Sequence, residues 1–510
     1  MMGGLMARDG TGRLLAALLV FLPLTVTCME GRSERTGQGC GGSGTPPDTT
    51  PPAVLGEWPR PGEAWVDPGT SLTASFSEPL DPGSVAPSTF TVRDASNALH
   101  ACTASYVETA YGQGVTWTPS ARLAPLATYS AVVASGVRDA HGNALPAEVS
   151  WSFTTGPEGV GAWAPTALLG APASNTGLVG AWTGSTLVVW TTYGLAGGRY
   201  DPATGAWAPL STTGAPSQRS GSTAVWTGKE MIVWGGERWE GSYVYPADGA
   251  RYDPVTDAWT PVSTSGAPQG RSGHVAVWTG TEMIVWGGDA GYVYPEDGAR
   301  YDPTTDTWTP IATSGAPAGR VVPSAVWTGS EMIVWGGSYI VAGTTYPTST
   351  GGRYDPASDS WTATATAGAP EPRHLHAAVW TGTEMIVWGG VWPDPYAPSD
   401  LASGGRYDPV MDAWAATADS GAPTARWGHT AVWTGSRMVV WGGYSDGAGF
   451  GYPRYGGLYD PILDAWEPTA ILAAPDGRVD HVAAWTGSEM IVWGGASGTP
   501  AGDGGRYVPP

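Results

Sequence analysis

At 510 residues the chain is long enough for two or three domains with full-sized cores. Gly 76, Pro 45 and Trp 28 beside only 14% charged residues point to short strands cut by turns, and exclude a wholly disordered chain, which would be poor in aromatics. Forty-five acids against 24 bases give a formal net charge of −21, Lys229 is the only lysine, and no basic cluster follows the first 40 residues, which argues against nucleic acid as a partner.

Residues 1–28 read as an export signal. Arg8 and Arg13 precede an apolar run from Leu14 to Leu24 that is too short to span a bilayer comfortably. Cys28 follows and is the candidate acyl site of a lipoprotein, although Thr25 and Thr27 stand where a lipobox has an aliphatic and a small residue. Plain cleavage and secretion is the other outcome, so the protein is expected in the cell envelope or outside the cell. Residues 29–51, rich in Gly, Ser, Thr and Pro, read as a flexible tether. The remaining Cys40 and Cys102 make neither a disulfide framework nor a zinc site.

From 52 to 156 the texture changes to period-2 runs: Leu72, Ala74 and Phe76, then Tyr129, Ala131 and Val133, then Val149, Trp151 and Phe153. Such runs between Pro, Gly and Asp turns predict a β-sandwich. The landmarks Phe76-Ser77-Glu78-Pro79-Leu80-Asp81, Gly136-Val137-Arg138-Asp139-Ala140-His141-Gly142-Asn143 and Phe153-Thr154-Thr155-Gly156 resemble the bacterial Ig-like modules of surface proteins, which implies a spacer without catalysis. Asp139 with Asn143 is read as a hairpin turn in preference to a Ca²⁺ site.

Residues 157–510 are a repeat array. Ala/Val-Trp-Thr-Gly recurs with its Trp at 182, 226, 278, 327, 380, 433 and 485. An apolar run usually ending Val-Trp-Gly-Gly has its Trp at 190, 234, 286, 335, 388, 441 and 493. Tyr-Asp-Pro, in most units preceded by Arg, has its Tyr at 200, 252, 301, 354, 407 and 459, with Tyr507-Val508-Pro509 closing the series, and a further Trp follows at 207, 259, 308, 361, 414 and 466. The period of 44 to 53 residues is that of a β-propeller blade. His274-Val275-Ala276-Val277-Trp278 and Met283-Ile284-Val285-Trp286 lack alternation, so both their faces must be covered, whereas Arg300-Tyr301-Asp302 and Thr307-Trp308-Thr309 alternate as wetter outer strands do.

In this order the motifs resemble the kelch repeat of the galactose-oxidase-like propellers, in which an Arg/His-bearing strand precedes a strand ending Gly-Gly, then Tyr, then Trp. The first unit is the weakest match, with Trp190-Thr191-Thr192. The last unit stops at Pro510 without its fourth-strand Trp, while the array begins with an orphan Gly161-Ala162-Trp163-Ala164-Pro165. Together they predict an all-β chain, an Ig-like sandwich followed by a seven-bladed propeller closed by three strands from one end and one from the other. The 21 tryptophans at the three repeated positions are expected to be packing residues.

Two sets of residues stand out for binding. Arg219, Arg271, Arg320, Arg373, Arg426 and Arg478 each lie seven residues before the Trp of Trp-Thr-Gly, where the first unit has Asn175; His274, His376, His429 and His481 follow their arginines by three. The kelch resemblance puts these groups around one mouth of the axial channel, where guanidinium forks suit carboxylates, unless they lock neighbouring loops instead. The second set lies in loops of variable length after Gly-Gly: Trp239, Tyr243, Tyr292, Trp392, Tyr396 and Tyr452, with acids such as Asp394 and further aromatics such as Phe450 beside them. These suit a sugar face or a peptide. The propeller has no Cys, so copper-radical chemistry of the galactose-oxidase type is excluded, and no nucleophile elbow, zincin motif or phosphate loop occurs. The leading expectation is a non-enzymatic binding protein for a glycan, protein or peptide, without cofactor or metal. The alternative is a sugar-isomerising enzyme, similar to sialic-acid mutarotases, working at the Arg-lined mouth.

Overall fold

The computed structural model describes residues 48–109, 112–173, 177–191, 196–341, 344–392, 399–446 and 451–510, which divide into two compact units. The expectations for the export segment, Cys28, Cys40, Asn175, Asp394, Tyr396 and Phe450 lie outside the described residues. Apart from one 3-10 turn, Pro82–Ser84, every described regular element is a strand.

Residues 54–155 form a four-stranded sheet (Val54–Trp58, Leu72–Phe76, Gly112–Pro119, Cys102–Thr109) and a five-stranded sheet (Glu63–Val66, Val149–Thr155, Thr128–Val133, Phe90–Asp94, Leu99–His100). The alternating apolar residues meet between them: the rings of Phe76 and Phe90 lie 6.3 Å apart edge to face, and those of Trp117 and Trp151 5.8 Å apart. Asp139 is fully buried and accepts from the backbone of His141 and Asn143 at 2.8 Å, while Asn143 Nδ2 donates to its other oxygen at 2.7 Å. The pair holds a turn, and Asp139 has its lone pairs engaged in doing so.

Residues 162–508 form seven four-stranded antiparallel sheets among the described residues. In one, Val275–Trp278, Met283–Trp286, Gly298–Asp302 and Thr307–Pro310 lie side by side in chain order. Met283–Trp286 is buried at every residue because a neighbouring sheet covers each face, whereas only Trp308 is buried in Thr307–Pro310. The tryptophans before Gly-Gly are almost wholly inaccessible and those of the outer strands nearly so, while the Trp-Thr-Gly set is half-buried. Each outer-strand Trp also donates its indole N–H to the carbonyl of a connecting loop of the previous unit, as Trp308 does to Ser263 and Trp361 to Ala312.

The sheet containing Val482–Trp485, Met490–Trp493 and Gly504–Val508 takes its fourth strand from the other end of the array, Ala162–Pro165, with Trp163 opposite Tyr507. Trp163 Nε1 donates to Ala470 O at 2.9 Å, the same bond the other outer-strand tryptophans make. The innermost strands neighbour one another in sequence order, and Leu178–Trp182 also neighbours Val482–Trp485. Arg506 Nη1 donates to Pro202 O at 3.1 Å, in the place where Arg300 donates to Pro356 O and Arg406 to Pro461 O.

Candidate functional site

The Gly-Gly after the second strand of every unit but the first is what builds the inner rim. Gly287 and Gly288 have φ of 70° and 100°, a left-handed pair closed to other residues without strain. That curl turns the first carbonyl inward, and the second glycine's N–H donates to the backbone carbonyl of the next unit's arginine, as Gly288 does to Arg320 at 2.8 Å. A Cβ on Gly336 would also stand 2.5 Å from Cε1 of His376, so the glycine makes room for the next unit's histidine.

Arg219, Arg271, Arg320, Arg373, Arg426 and Arg478 are each no more than 1% exposed. Arg373 is typical: Nε donates to Glu371 O at 2.9 Å, Nη1 to Gly389 O at 3.0 Å and Ser403 O at 2.7 Å, and Nη2 to Ser403 Oγ at 3.0 Å. Burial lowers the pKa of Arg320, Arg373 and Arg426 to about 10, so they remain charged at neutral pH. Arg271 and Arg478 add Asp297 and Asp503 at 2.7 Å. This corrects the expectation of an open ring of guanidinium forks: their donors are spent on loop carbonyls and hydroxyls of the same unit, and the anion-holding groups of the sugar-isomerase alternative go with them. Arg373→Ala is therefore expected to cost about 3–5 kcal/mol of stability, because several buried carbonyls lose their donor together. Arg373→Lys should recover little, since one ammonium cannot reach Glu371, Gly389 and Ser403 at once. Urea unfolding of the two variants measures both; parent-like stability with loss of an anionic ligand would restore the receptor role.

The four histidines lie just inside the arginines. Nε2 of His274 pairs with Thr223 Oγ1, that of His376 with Ser324 Oγ and that of His481 with Thr430 Oγ1, each at 2.8 Å and each reaching back to the previous unit. At His429 the corresponding residue is Ala377, which offers no hydroxyl, and neither ring nitrogen has a hydrogen-bond partner although the residue is only 6% exposed. Burial, reinforced by the adjacent arginines, depresses the pKa of His274, His429 and His481 to about 3.

Two residues after each arginine the backbone is left-handed. Gly221, Gly273 and Gly428 occupy that place in three units, and Val322 (φ 48°), Leu375 (φ 55°) and Asp480 (φ 56°) in the others. These residues are tied to one another by backbone bonds such as Val322 N to Gly273 O at 2.8 Å and Gly428 N to Leu375 O at 3.1 Å. All of these but Gly221 line, with the histidines, an open cavity of about 320 Å³ that draws on five successive units. The sequence reading missed Asp480, Val322 and Leu375; the signal was a departure from Gly two residues past a repeated Arg.

The variable loops rise on this same face, because the residue after each arginine bridges the residue after Gly-Gly, as Ser272 does Asp289 and His374 does Val391. Short ribbons carry several of them, including Arg238–Trp239 with Tyr243–Val244. Trp239 is 65%, Tyr292 63%, Trp392 40% and Tyr243 38% exposed, with Trp239 and Tyr243 edge to face at 5.0 Å. Tyr452 is half-buried against Tyr444, which in turn packs on Trp427. The opposite face carries turns of constant length, whose tips at Val410-Met411 and Ile462-Leu463 are also exposed. Among the described residues the metal-capable side chains that converge in a group of three are Asp48, Asp139 and His141, of which Asp139 is committed to its turn.

No curated protein matches the chain. Two family models do. The bacterial Ig-like domain matches residues 48–155, and the KLHDC2/KLHL20/DRC7 Kelch-repeats domain matches 196–390 and 322–503. With its repeats covered over more than half its length, the chain belongs to the kelch-repeat family and carries a bacterial Ig-like domain ahead of its repeats.

Proposed function

We propose that this is a non-enzymatic, exported binding protein: a closed seven-bladed propeller over 157–510 that grips a protein partner with the face bearing the Gly-Gly loops. Kelch repeats generally mediate protein–protein interactions. The observation that carries the choice of face is the set of exposed aromatics, Trp239, Tyr243, Tyr292 and Trp392, on loops that differ from unit to unit around one cavity. Rigid aromatic surface held on a constant scaffold is what interface hot spots are made of. Closure is supported by the pairing of 162–165 with 504–508 and by the bond from Arg506 to Pro202. Export rests on the sequence of 1–28, with Cys28 the acyl site if the protein is anchored.

Peptide and glycan arrays probed with the intact chain test the reading. Trp239→Ala and Trp392→Ala are each expected to weaken binding of a protein or peptide hit about tenfold or more, with melting unchanged. Parent-like binding by both variants overturns the choice of face, hits confined to glycans move the ligand to sugars, and recovery of the protein in the cytosolic fraction of its host overturns export.

A further inference from the structure

A cavity lies among the left-handed residues, and three features define it. Asp480 lines it, is exposed there and has no cationic partner among the described residues, and the protein packed around it raises its pKa. Val322 and Leu375 put apolar side chains on the same rim from backbone that glycine adopts freely and they do not. A β-branched residue at φ 48° is an outlier whose strain the surrounding structure sustains. Finally, His429 is buried in the wall with both ring nitrogens unpartnered, where the other three histidines are held by a hydroxyl.

A carboxylate without a counter-ion, with apolar side chains on the same rim, fits a cation on a hydrocarbon stem. We propose that this cavity is a receptor for an alkylammonium group, with Asp480 as its counter-ion and Val322 and Leu375 around its stem. An acidic chain of net charge −21 favours the approach of such a ligand. The group is carried either by a free amine or by a lysine side chain of a partner.

Calorimetric titration of the intact chain with n-butylammonium, and with n-butanol as the neutral isostere, tests this. Binding of the amine without the alcohol is expected, and Asp480→Asn should weaken it at least tenfold. Asn tolerates left-handed backbone as Asp does, so that variant keeps its fold. Val322→Gly and Leu375→Gly should also weaken binding, yet melt at the same temperature as the parent or higher, because the strain is relieved; a merely structural role would lower both. A lysine-containing peptide that binds tenfold better than butylammonium assigns the source to a protein, and equal affinity assigns it to a free amine. No heat with millimolar butylammonium, or equal binding by Asp480→Asn, overturns the proposal. The probe is too small to report on the aromatic rim, so its failure leaves the rim reading standing and the reverse holds too.

Discussion

Lowering the pH from 7 to 5 is expected to bring the propeller close to unfolding, with the uptake of about five protons. His274, His429 and His481 have folded pKa values of about 3 and His374 of about 4, and His376 is held well below its ordinary value, chiefly by burial and, except at His374, then by the neighbouring arginine. In the unfolded chain each returns to about 6.5. Between those limits the unfolded state binds more protons than the folded one, so stability rises with pH and falls on acidification, at about 1.4 kcal/mol per pH unit for each histidine. The contribution is intact above about pH 6.5 and is lost progressively as the pH drops toward the folded values. At pH 5 the four with folded values of about 3 to 4 together cost about 8 kcal/mol, a large share of the 5–15 kcal/mol typical of a folded domain, and His376 adds in the same direction. Further down, Asp359, Asp412 and Asp464, held low by hydrogen bonds from Tyr354, Tyr407 and Tyr459, push in the same direction, since stability tied to a depressed carboxylate disappears as it is protonated. Urea unfolding at intervals from pH 7 to 5 reads the slope. His274→Gln should reduce it by one histidine's share, whatever its effect on stability at pH 7. Equal stability at pH 7 and pH 5 would show that these rings can be protonated in place.

Much of the fold was legible because the chain states its rules repeatedly. Apolar strands without alternation, the Thr-Gly turn and the Gly-Gly curl each recur unit after unit, so one reading is checked by all the others. The orphan strand at Trp163 and the missing one after Tyr507 could be matched for the same reason, and the two strands are hydrogen-bonded neighbours. Repetition misled at the site. Six arginines in one register look like a ring of receptors, but a group repeated from unit to unit serves what those units share, the closing of their own loops, as Arg271 does with Gly287 O and Asp297 O. Sequence does not say whether a guanidinium points at solvent or at a carbonyl sixteen residues on. Ligand-binding chemistry has instead to break the repeat. The departures on which the proposed binding rests are Asp480, Val322 and Leu375 where other units have Gly, and aromatic loops of unequal length.

Deleting residues 157–166 is expected to abolish cooperative unfolding of the propeller and to drive aggregation. The lost strand supplies the backbone partners of 504–508, so a row of N–H and C=O groups on the edge carrying Arg506 and Tyr507 would be open to pairing with another molecule. Trp163, 7% exposed, fills the space between Trp441 and Tyr507 at ring separations of 5.2 and 5.1 Å, and its indole N–H satisfies Ala470 O. Tyr507 donates its hydroxyl to Val160 O at 2.7 Å, so the same deletion strips that acceptor away as well. Trp163→Ala alone isolates the packing from the strand: removing a buried Trp costs about 3–5 kcal/mol, while the backbone pairing remains available. The point substitution should therefore lower the melting temperature but leave a single transition and a monomer, whereas the deletion should lose both. The two ends are joined only by non-covalent contacts 340 or so residues apart in sequence, the kind of long-range pairing that slows folding. Adding a synthetic peptide of residues 157–166 to the deletion variant should restore a cooperative transition, because the missing strand needs no covalent link to occupy its place. A deletion variant that melts like the parent as a monomer would mean that the sheet ending in 504–508 stands without its borrowed strand, and would overturn the proposed closure.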